Sequence, residues 1–373
     1  MRNIELKYLC SPKQWKTVAA SNLISNGYPV YGANGIIGYH TEYNHEFPTI
    51  LVTCRGATCG EVNICKPFSY VNGNAMALDD LDVSKINIKY LYYYLKHRGF
   101  KDIISGSAQP QIIRSTIEKI KIPLIELEIQ EKIVETLDKV NCMLSKRQSQ
   151  IVALDELIQS LYLEMLYQED APYFVKIGEV IESIEAGWSV SGEERTKLKD
   201  ELAVLKISAV TKGYFNEEEY KVIKRNTVIK KAIYPKKGDI LFSRANTREL
   251  VGASAIVPKN YTDLILPDKL WKINLVNGKL TPEYFHTVIN TKKIRNKFSK
   301  NATGTSGSML NISMQKFKEV EIPLPSLEQQ VLFSSKFNQI SEMKIKLITI
   351  QKQMEQMYGS LLQKAFKGEL FQE

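Results

Sequence analysis

Two long stretches of the chain carry apolar residues in steps of three and four. The first has them at Ile133, Leu137, Val140, Leu144, Ile151, Leu154, Ile158, Leu161 and Met165. The second has them at Phe333, Phe337, Ile340, Leu347, Met354, Tyr358, Leu361 and Ala365. Steps that average 3.5 residues are typical of a coiled-coil seam. We therefore expect two long helices that pair with each other, and the alternative is two amphipathic helices on separate cores.

The two stretches also repeat each other at a distance of 200 residues without a gap. Residues 122–124 and 322–324 both read Ile-Pro-Leu, and Gln130 falls on Gln330. A repeat of this length indicates a protein built from two similar halves. A chain that leaves one helix, forms a domain and returns can make the helices antiparallel. With the pair centred near residues 149 and 349, the polar seam positions Arg147 and Gln351 would face each other.

These patterns predict a mixed α/β protein with two globular domains separated by two long antiparallel coiled-coil helices, related by a pseudo-twofold internal repeat. The first domain is expected over residues 1–121 and the first spacer helix over 122–168. The second domain is expected over 172–321 and the second helix over 322–373. Residues 168–172 read as a short polar linker that ends in proline.

Each predicted domain contains the same order of local features. The β-rich runs 50–53 and 240–243 are followed closely by Arg55 and Arg244. A helical stretch follows in each domain, around Tyr90 and around Tyr284, and leads into basic residues and a small polar loop. Cations beside a loop rich in amides and hydroxyls can hold phosphates and read base edges. The alternative is that the cations complement a helix dipole and the loop is only a connector.

Composition supports a polyanionic partner. The chain has 50 Lys and Arg against 41 Asp and Glu, which gives a net charge of +9. In the first half the candidate DNA contacts are Tyr31 and Asn34 at a predicted strand turn, then Arg55, Lys96, Arg98, Gln109 and Gln111. In the second half they are Arg244, Asn246, Arg248, Lys293, Arg295, Lys297, Asn301, Thr303, Ser306 and Asn311.

Other functional classes find little support. The five cysteines lack a CxxC pair, and His40 with His45 has no zinc-ligand spacing, so we expect reduced thiols, no metal and no cofactor. There is no P-loop and no amino-methyltransferase motif, so we expect no catalytic residue. Pro267-Asp268 invites a nuclease interpretation, but no ExK signature follows. The absence of a membrane-length apolar run or signal peptide predicts a cytoplasmic location and no membrane partner.

The chain resembles the specificity subunits of type I restriction–modification systems. The matching stretches are SLLQKAFKGEL at 360–370, IPLPSLEQQ at 322–330, YGANG at 31–35, KIGEV at 176–180 and GDIL at 238–241. The resemblance implies two target-recognition domains that each read one half of a split double-stranded DNA sequence. It also implies helices that separate them and dock methyltransferase subunits, two in number, which restriction–translocase subunits then join.

Three alternatives remain open from the sequence. The first is the specificity subunit of a methyltransferase-only or type II system. The second is a coiled-coil adaptor that binds proteins and no DNA, although the duplicated basic loops argue against it. The third is an enzyme that acts alone.

Overall fold

The computed structural model of the protein describes residues 2–33, 35–106, 109–167, 173–304 and 309–371. The chain divides into two compact units, and each takes part of both long helices. Unit 1 comprises residues 1–148 and 349–373, and unit 2 comprises residues 149–348. The predicted domain boundaries follow the sequence repeat rather than this division, and they stay a prediction.

Unit 1 contains short strands, one medium helix and the first part of a long one. Its strands are β1 (Arg2–Glu5), β2 (Ser11–Gln14), β3 (Tyr28–Gly32), β4 (Gly35–His40), β5 (Ile50–Thr53), β6 (Val62–Ile64), β7 (Tyr70–Val71), β8 (Ala75–Asp79) and β9 (Lys121–Leu124). Its helices are α1 (Ile88–Arg98), α2 (Arg114–Ile117) and the beginning of α3 (Leu127–Tyr167). The strands form sheets in the orders β2-β8-β5-β6, β4-β3-β7 and β1-β9.

Unit 2 repeats this plan with more strands. They are β10 (Tyr173–Lys176), β11 (Ile181–Ala186), β12 (Gly192–Glu193), β13 (Ala203–Leu205), β14 (Tyr220–Ile223), β15 (Ile240–Ser243), β16 (Ala245–Asn246), β17 (Ser254–Ile256), β18 (Leu264–Ile265), β19 (Leu270–Leu275), β20 (Leu310–Asn311) and β21 (Glu321–Leu324). The helices are α4 (Ile177–Val180), α5 (Pro282–Asn290), α6 (Lys292–Asn301), α7 (Met314–Lys318) and α8 (Leu327–Lys367). The sheet orders are β11-β19-β15-β17, β12-β14-β13-β18, β10-β21 and β16-β20.

The two long helices confirm the predicted repeat and pairing. Both have 41 residues, and their bounds differ by the predicted 200 positions. In unit 1 the Asn141 amide donates to the Tyr358 hydroxyl (2.9 Å), and the Gln351 amide donates to the side-chain oxygen of Gln148 (3.2 Å). In unit 2 Lys344 pairs with Asp155. Along α3 the contact residues 141, 148 and 155 rise in steps of seven, while their partners 358, 351 and 344 on α8 fall in the same steps. The helices are therefore antiparallel within each unit.

The Ile-Pro-Leu segments before these helices are strands rather than part of the spacer helices. Strand β9 pairs with β1, and β21 pairs with β10, both antiparallel. Pro123 and Pro323 lie in the middle of strands that have a neighbour on one side only, which is where proline is tolerated in a sheet. Each short sheet brings the start of a domain to the start of its long helix.

The core of each unit joins its sheet, its medium helix and the long helices. In unit 1 the cluster includes Ile50, Tyr90 and Leu137. In unit 2 it includes Phe242, Tyr284 and Phe337. Asn87 caps α1 and Thr281 caps α5, because their side-chain oxygens accept from backbone N–H groups of the first turn.

Candidate nucleic-acid interface

In both units the polar loop is held against the end of a central strand by backbone hydrogen bonds. In unit 1 the N–H of Ile112 donates to the carbonyl of Cys54 (3.0 Å), and Ser105 and Gln111 exchange two bonds. In unit 2 the N–H of Ile312 donates to the carbonyl of Arg244 (2.9 Å), and Thr303 and Asn311 exchange two bonds. The loop therefore has a fixed base beside the strand end in each half.

The same bonds show which residues of the two halves correspond. The N–H of Cys54 donates to the carbonyl of Asn74 (3.2 Å), and the N–H of Arg244 donates to that of Lys269 (3.1 Å). Arg244 thus occupies the place of Cys54. The backbone of Arg55 forms an antiparallel β-bridge with Gln111, and Ala245 is paired in the same way with Asn311. Arg55 therefore corresponds to Ala245. The two arginines that looked equivalent in sequence lie one position apart.

Seven candidates lie exposed on loops or helix surfaces, where a DNA backbone or base edge can reach them. They are Arg55, Lys96, Gln109, Gln111, Arg248, Lys293 and Thr303. Lys96 also donates to the hydroxyl of Tyr92 (3.2 Å). Asn246, Asn301 and Asn311 are partly exposed in the same strand-end and loop region of unit 2.

Three further basic candidates make contacts to carboxylate or backbone carbonyl groups of the protein. The Arg98 guanidinium forms an ion pair with Asp102 (2.6 Å) and donates to the carbonyl of Gly99. Arg295 donates to the carbonyl of Glu249 (2.7 Å), and burial lowers the pKa of Arg295 to about 10. Lys297 donates to the carbonyl of Glu321 (3.2 Å). These contacts stabilise the fold, so the three residues are weaker candidates for phosphate contact.

The basic stretch of the second half is a separate helix, α6, and does not continue α5. Thr291 ends α5, and its hydroxyl accepts from the N–H of Ile294 to begin α6. The interpretation that these cations lie at the end of the preceding helix therefore does not apply to this half. Lys293 lies in the first turn of its own helix, where a cation is disfavoured by the helix dipole and gains from a nearby anion.

The strand turn of the first half is confirmed as a hairpin, but its aromatic candidate points inward. Strands β3 and β4 are antiparallel, and Tyr28 lies opposite His40. Tyr31 is 7% exposed and packs in a small cluster with Leu51 and Val71. Its hydroxyl accepts from the N–H of Lys66 (3.2 Å), so the side chain has a structural role. Asn34 and Ser306 lie outside the described residues.

An acidic partner of Arg244 was missed from sequence. The Nη2 of Arg244 lies 3.2 Å from the Oδ2 of Asp268, and its Nε donates to the Asp268 carbonyl (3.1 Å). The hydroxyl of Ser189 also contacts the Asp268 carboxylate. In the sequence, Pro267-Asp268 suggests only a possible nuclease element. The contact joins residues far apart in the chain, and no local spacing predicts it.

In the described part of the chain, no three His, Cys, Asp or Glu side chains come together as a metal site would require. Over the same residues, no helix has the length and apolar character needed to cross a membrane.

Comparison with known proteins decides the family. The family model of the type I restriction modification DNA specificity domain matches residues 3–152 and, a second time, residues 173–355. The chain belongs to this family. Type I specificity subunits are, as a class, the non-catalytic components of these systems. Each match covers one globular half together with part of the long helix that follows it.

Relatives within the type I specificity family are distant in sequence. A putative type I restriction enzyme specificity subunit of Haemophilus influenzae is 24% identical over 327 residues, which covers 84% of this chain and 80% of that protein. The EcoEI specificity subunit of Escherichia coli is 24% identical over 225 residues, and this match spans 57% of this chain and only 38% of that protein. The crystal structure of a type I S subunit from M. genitalium has a TM-score of 0.63 at 14% identity, covering 98% of this chain and 96% of that one. That likeness concerns the fold.

Proposed function

We propose that each globular half reads one part of a two-part double-stranded DNA target. One observation carries this proposal: the same strand end and loop are built twice, and they present different side chains. Arg55 and Gln111 lie at the loop base of the first half, and Arg244 and Asn311 at that of the second. Arginine and amide side chains are the common readers of purine edges. Because the sets differ, the two half-sites should differ in sequence, which makes the target asymmetric.

We further propose that the helices dock methyltransferase subunits. Several large apolar side chains of α3 and α8 point to solvent and away from the seam. They are Met143, Val152, Leu157, Leu163, Val331, Leu332, Met343, Ile345, Ile350 and Met357. Exposed large apolar side chains on a helix are candidates for contact with another protein. The duplicated helices suggest two such subunits, with restriction–translocase subunits joining the complex through them. A cytoplasmic location follows from the DNA partner.

A DNA-shift assay with a co-expressed methyltransferase subunit tests DNA recognition. We expect the complex to retard duplex DNA and to methylate a split sequence in the host genome. A complex that forms but never retards DNA would favour a protein-binding adaptor. Methylation by this chain alone, in the presence of S-adenosylmethionine, would contradict the non-catalytic role.

The docking proposal is tested by charge insertion on the exposed helix surface. Replacing Met143 and Met357 with glutamate should reduce copurification of the methyltransferase subunit, because carboxylates would have to be buried in the interface. Gln339→Glu changes an exposed polar position of the same helices and serves as the control. Equal copurification of both variants would count against docking on the unit 1 surface.

We propose, finally, that the helices set the spacing of the half-sites. The test is to insert seven residues after Lys146 in α3 and seven after Lys352 in α8, next to the contact between Gln148 and Gln351. An insertion of one heptad in each helix preserves the pairing of the seam positions. It lengthens both helices by about 10 Å, or about three base pairs of DNA. The spacer of the methylated sequence should grow by that amount, while the same insertion after the exposed Lys199 should leave it unchanged. An unchanged spacer in the helix variant would refute this proposal.

A further inference from the structure

Arg244 in unit 2 is held by a carboxylate along one edge of its guanidinium. Its Nε donates to the backbone carbonyl of Asp268 (3.1 Å), and its Nη2 lies 3.2 Å from the Asp268 Oδ2. The hydroxyl of Ser189 contacts the other carboxylate oxygen, Oδ1. The Arg244 side chain keeps 29% of its surface exposed. The arginine is therefore fixed along one edge and remains partly exposed.

The segment that carries Ser189 is itself fixed by a close backbone approach. The N–H of Trp188 donates to the carbonyl of Leu266 (3.0 Å). A Cβ on Gly187 would lie only 1.9 Å from that carbonyl oxygen, so a larger residue would push the two segments apart. Gly187 thus allows Ser189 to reach Asp268, and three separate parts of the chain meet at Arg244.

Among the residues that the structure describes, unit 1 has no arginine–carboxylate pair at the corresponding place. Cys54 occupies the place of Arg244, and it is buried. Ala75 pairs with Thr53 in unit 1, and Leu270 pairs with Ser243 in unit 2. Gly73 and Asp268 each lie two residues before these paired residues, so Gly73 corresponds to Asp268. The Gly73 carbonyl is satisfied by the amide of Gln14 (3.1 Å). The carbonyl accepts a hydrogen bond in both halves, but the donor is the neutral amide of Gln14 in unit 1 and the guanidinium of Arg244 in unit 2.

Within the described residues, the contacts of Arg244 occupy one edge of its guanidinium and leave the other edge for a ligand. The side edge, formed by Nε and Nη2, faces Asp268. The end edge, formed by Nη1 and the second hydrogen of Nη2, presents two parallel N–H donors in one plane. Two parallel donors of arginine match the O6 and N7 acceptors of guanine in the major groove, which other bases do not offer as a pair.

We propose that Arg244 reads a guanine in the half-site of the second domain and that Asp268 is a positioning residue that fixes the guanidinium plane. This rests on the proposed function, because it assumes that the second domain contacts one half of a split target. Asp268 acts through Arg244. Ser189 and Gly187 serve the same purpose one step further from the base.

Methylome sequencing of cells that express the complete complex tests the role of Arg244. In Arg244→Lys, one guanine of the second half-site should become degenerate, with discrimination at that position reduced about tenfold or more, since lysine lacks the planar fork. The first half-site should stay unchanged, which shows that the protein is folded. Arg225→Lys changes an exposed arginine elsewhere in unit 2 and should leave the whole target unchanged.

The outcomes separate this inference from the proposed function. If no two-part target exists for the wild-type complex, the proposed function fails. If the target is two-part and every guanine of its second half stays fixed in Arg244→Lys, or if that half has no guanine on either strand, the inference is overturned and the proposed function stands.

A binding experiment covers the case in which the variant methylates nothing. The purified wild-type complex is titrated with duplexes in which each guanine of the second half-site is replaced in turn by 7-deazaguanine, which lacks the N7 acceptor. One replacement should weaken binding about tenfold for the wild type and have little effect on Arg244→Lys. Equal affinity of the wild-type complex for all duplexes would refute the contact.

The positioning role of Asp268 has its own readout. Asp268→Asn should lower the preference for guanine over 7-deazaguanine in the wild-type background and have no further effect in Arg244→Lys. Asp200→Asn, on an exposed loop of the same unit, is the matched control. If the effects of the two substitutions at 244 and 268 simply add, Asp268 acts independently of Arg244 and the positioning role is wrong.

Discussion

The two halves of the chain differ least where the medium helix meets the strand that leads into the long helix, and they differ most at the ends of the central strands. Tyr90 donates its hydroxyl to the carbonyl of Pro123 (3.0 Å), and Tyr284 donates to that of Pro323 (2.6 Å). The loop base is also alike in both halves, yet Cys54 in one takes the place of Arg244 in the other. The hydrogen bonds that hold the medium helix and the loop base, which we call the frame, are thus repeated in both halves. The side chains at the end of the central strand differ between the halves.

A second difference lies beside the helices. In unit 1 the Tyr93 hydroxyl bonds to Asp138, and Asn141 bonds to both Tyr93 and Tyr358. In unit 2 the smaller Thr287 and Ser341 occupy the positions of Tyr93 and Asn141, and together with His286 they line a cleft of about 1070 Å³. The tyrosine network fills in unit 1 a place that unit 2 leaves open. The second half should therefore depend more on buried polar groups at this place.

The largest expected effect concerns the glutamines that the halves share. The amide of Gln130 accepts from the N–H of Asn87 (2.8 Å) and donates to the carbonyls of Lys85 and Ile125 (3.0 and 2.8 Å). Gln330 makes the same three kinds of bond to Thr281, Lys279 and Pro325. Either Gln→Leu change leaves three polar groups without this partner and should lower the free energy of unfolding by about 4 kcal/mol.

Urea denaturation followed by circular dichroism measures this loss. Hydrogen exchange should show faster exchange at the start of α1 for the substitution at 130 and at the start of α5 for that at 330. Gln339→Leu, at an exposed position of α8, should change stability by less than about 0.5 kcal/mol. A large effect in one half and none in the other would show that the shared frame is not energetically equivalent.

The long helices are predicted well from the sequence because their residues follow a periodic pattern that occurs twice. The seam spacing gave the long helices, and the 200-residue repeat gave their matching bounds. The central helix pairing was correct in direction, and the structure shows Gln351 donating to Gln148, the residue next to the expected Arg147. Local signals of this kind survive in sequence because helices are periodic.

The sequence predicts the strand ends poorly because their contacts join distant parts of the chain. Arg55 and Arg244 each follow a similar β-rich run, but the register of the strands places them one position apart. No residue pattern near Arg244 predicts its contact with Asp268. The inward direction of the Tyr31 side chain depends on packing across two sheets. These features follow from pairing register, which a single residue can shift.

A somewhat smaller effect is expected at the buried histidine of unit 2. Burial, and to a lesser extent the charge of Lys344, lowers the pKa of His286 from 6.5 to about 4. The neutral imidazole is favoured in the fold, so this contribution is fully present above about pH 6.5 and is lost as pH falls to about 4. The shift corresponds to about 3 kcal/mol of unfolding free energy.

Comparison with His286→Gln isolates this term, because other groups titrate alike in both proteins. The difference in stability between wild type and variant should change by about 3 kcal/mol between pH 7 and pH 4. Trp15→Phe leaves Trp188 and Trp271, both in unit 2, as the fluorescent reporters. A constant difference over that range would show that His286 does not lose its proton-linked contribution.

The smallest effect concerns the one seam position at which a lysine replaces a leucine. Leu144 in α3 corresponds to Lys344 in α8, whose side chain is 10% exposed and pairs with Asp155, itself 53% exposed. Asp155→Asn leaves the ammonium buried without its counter-charge and should cost about 1 kcal/mol, since solvent screens a pair that is half open. Lys344→Leu restores the residue found in the other half and should be neutral or slightly stabilising, because burying a charge pair gains little over an apolar contact. Both are measured by urea denaturation of the Trp15→Phe protein. If Lys344→Leu proves more damaging than Asp155→Asn, the lysine has a structural role in unit 2 beyond this pair, and the two halves of the seam are not interchangeable.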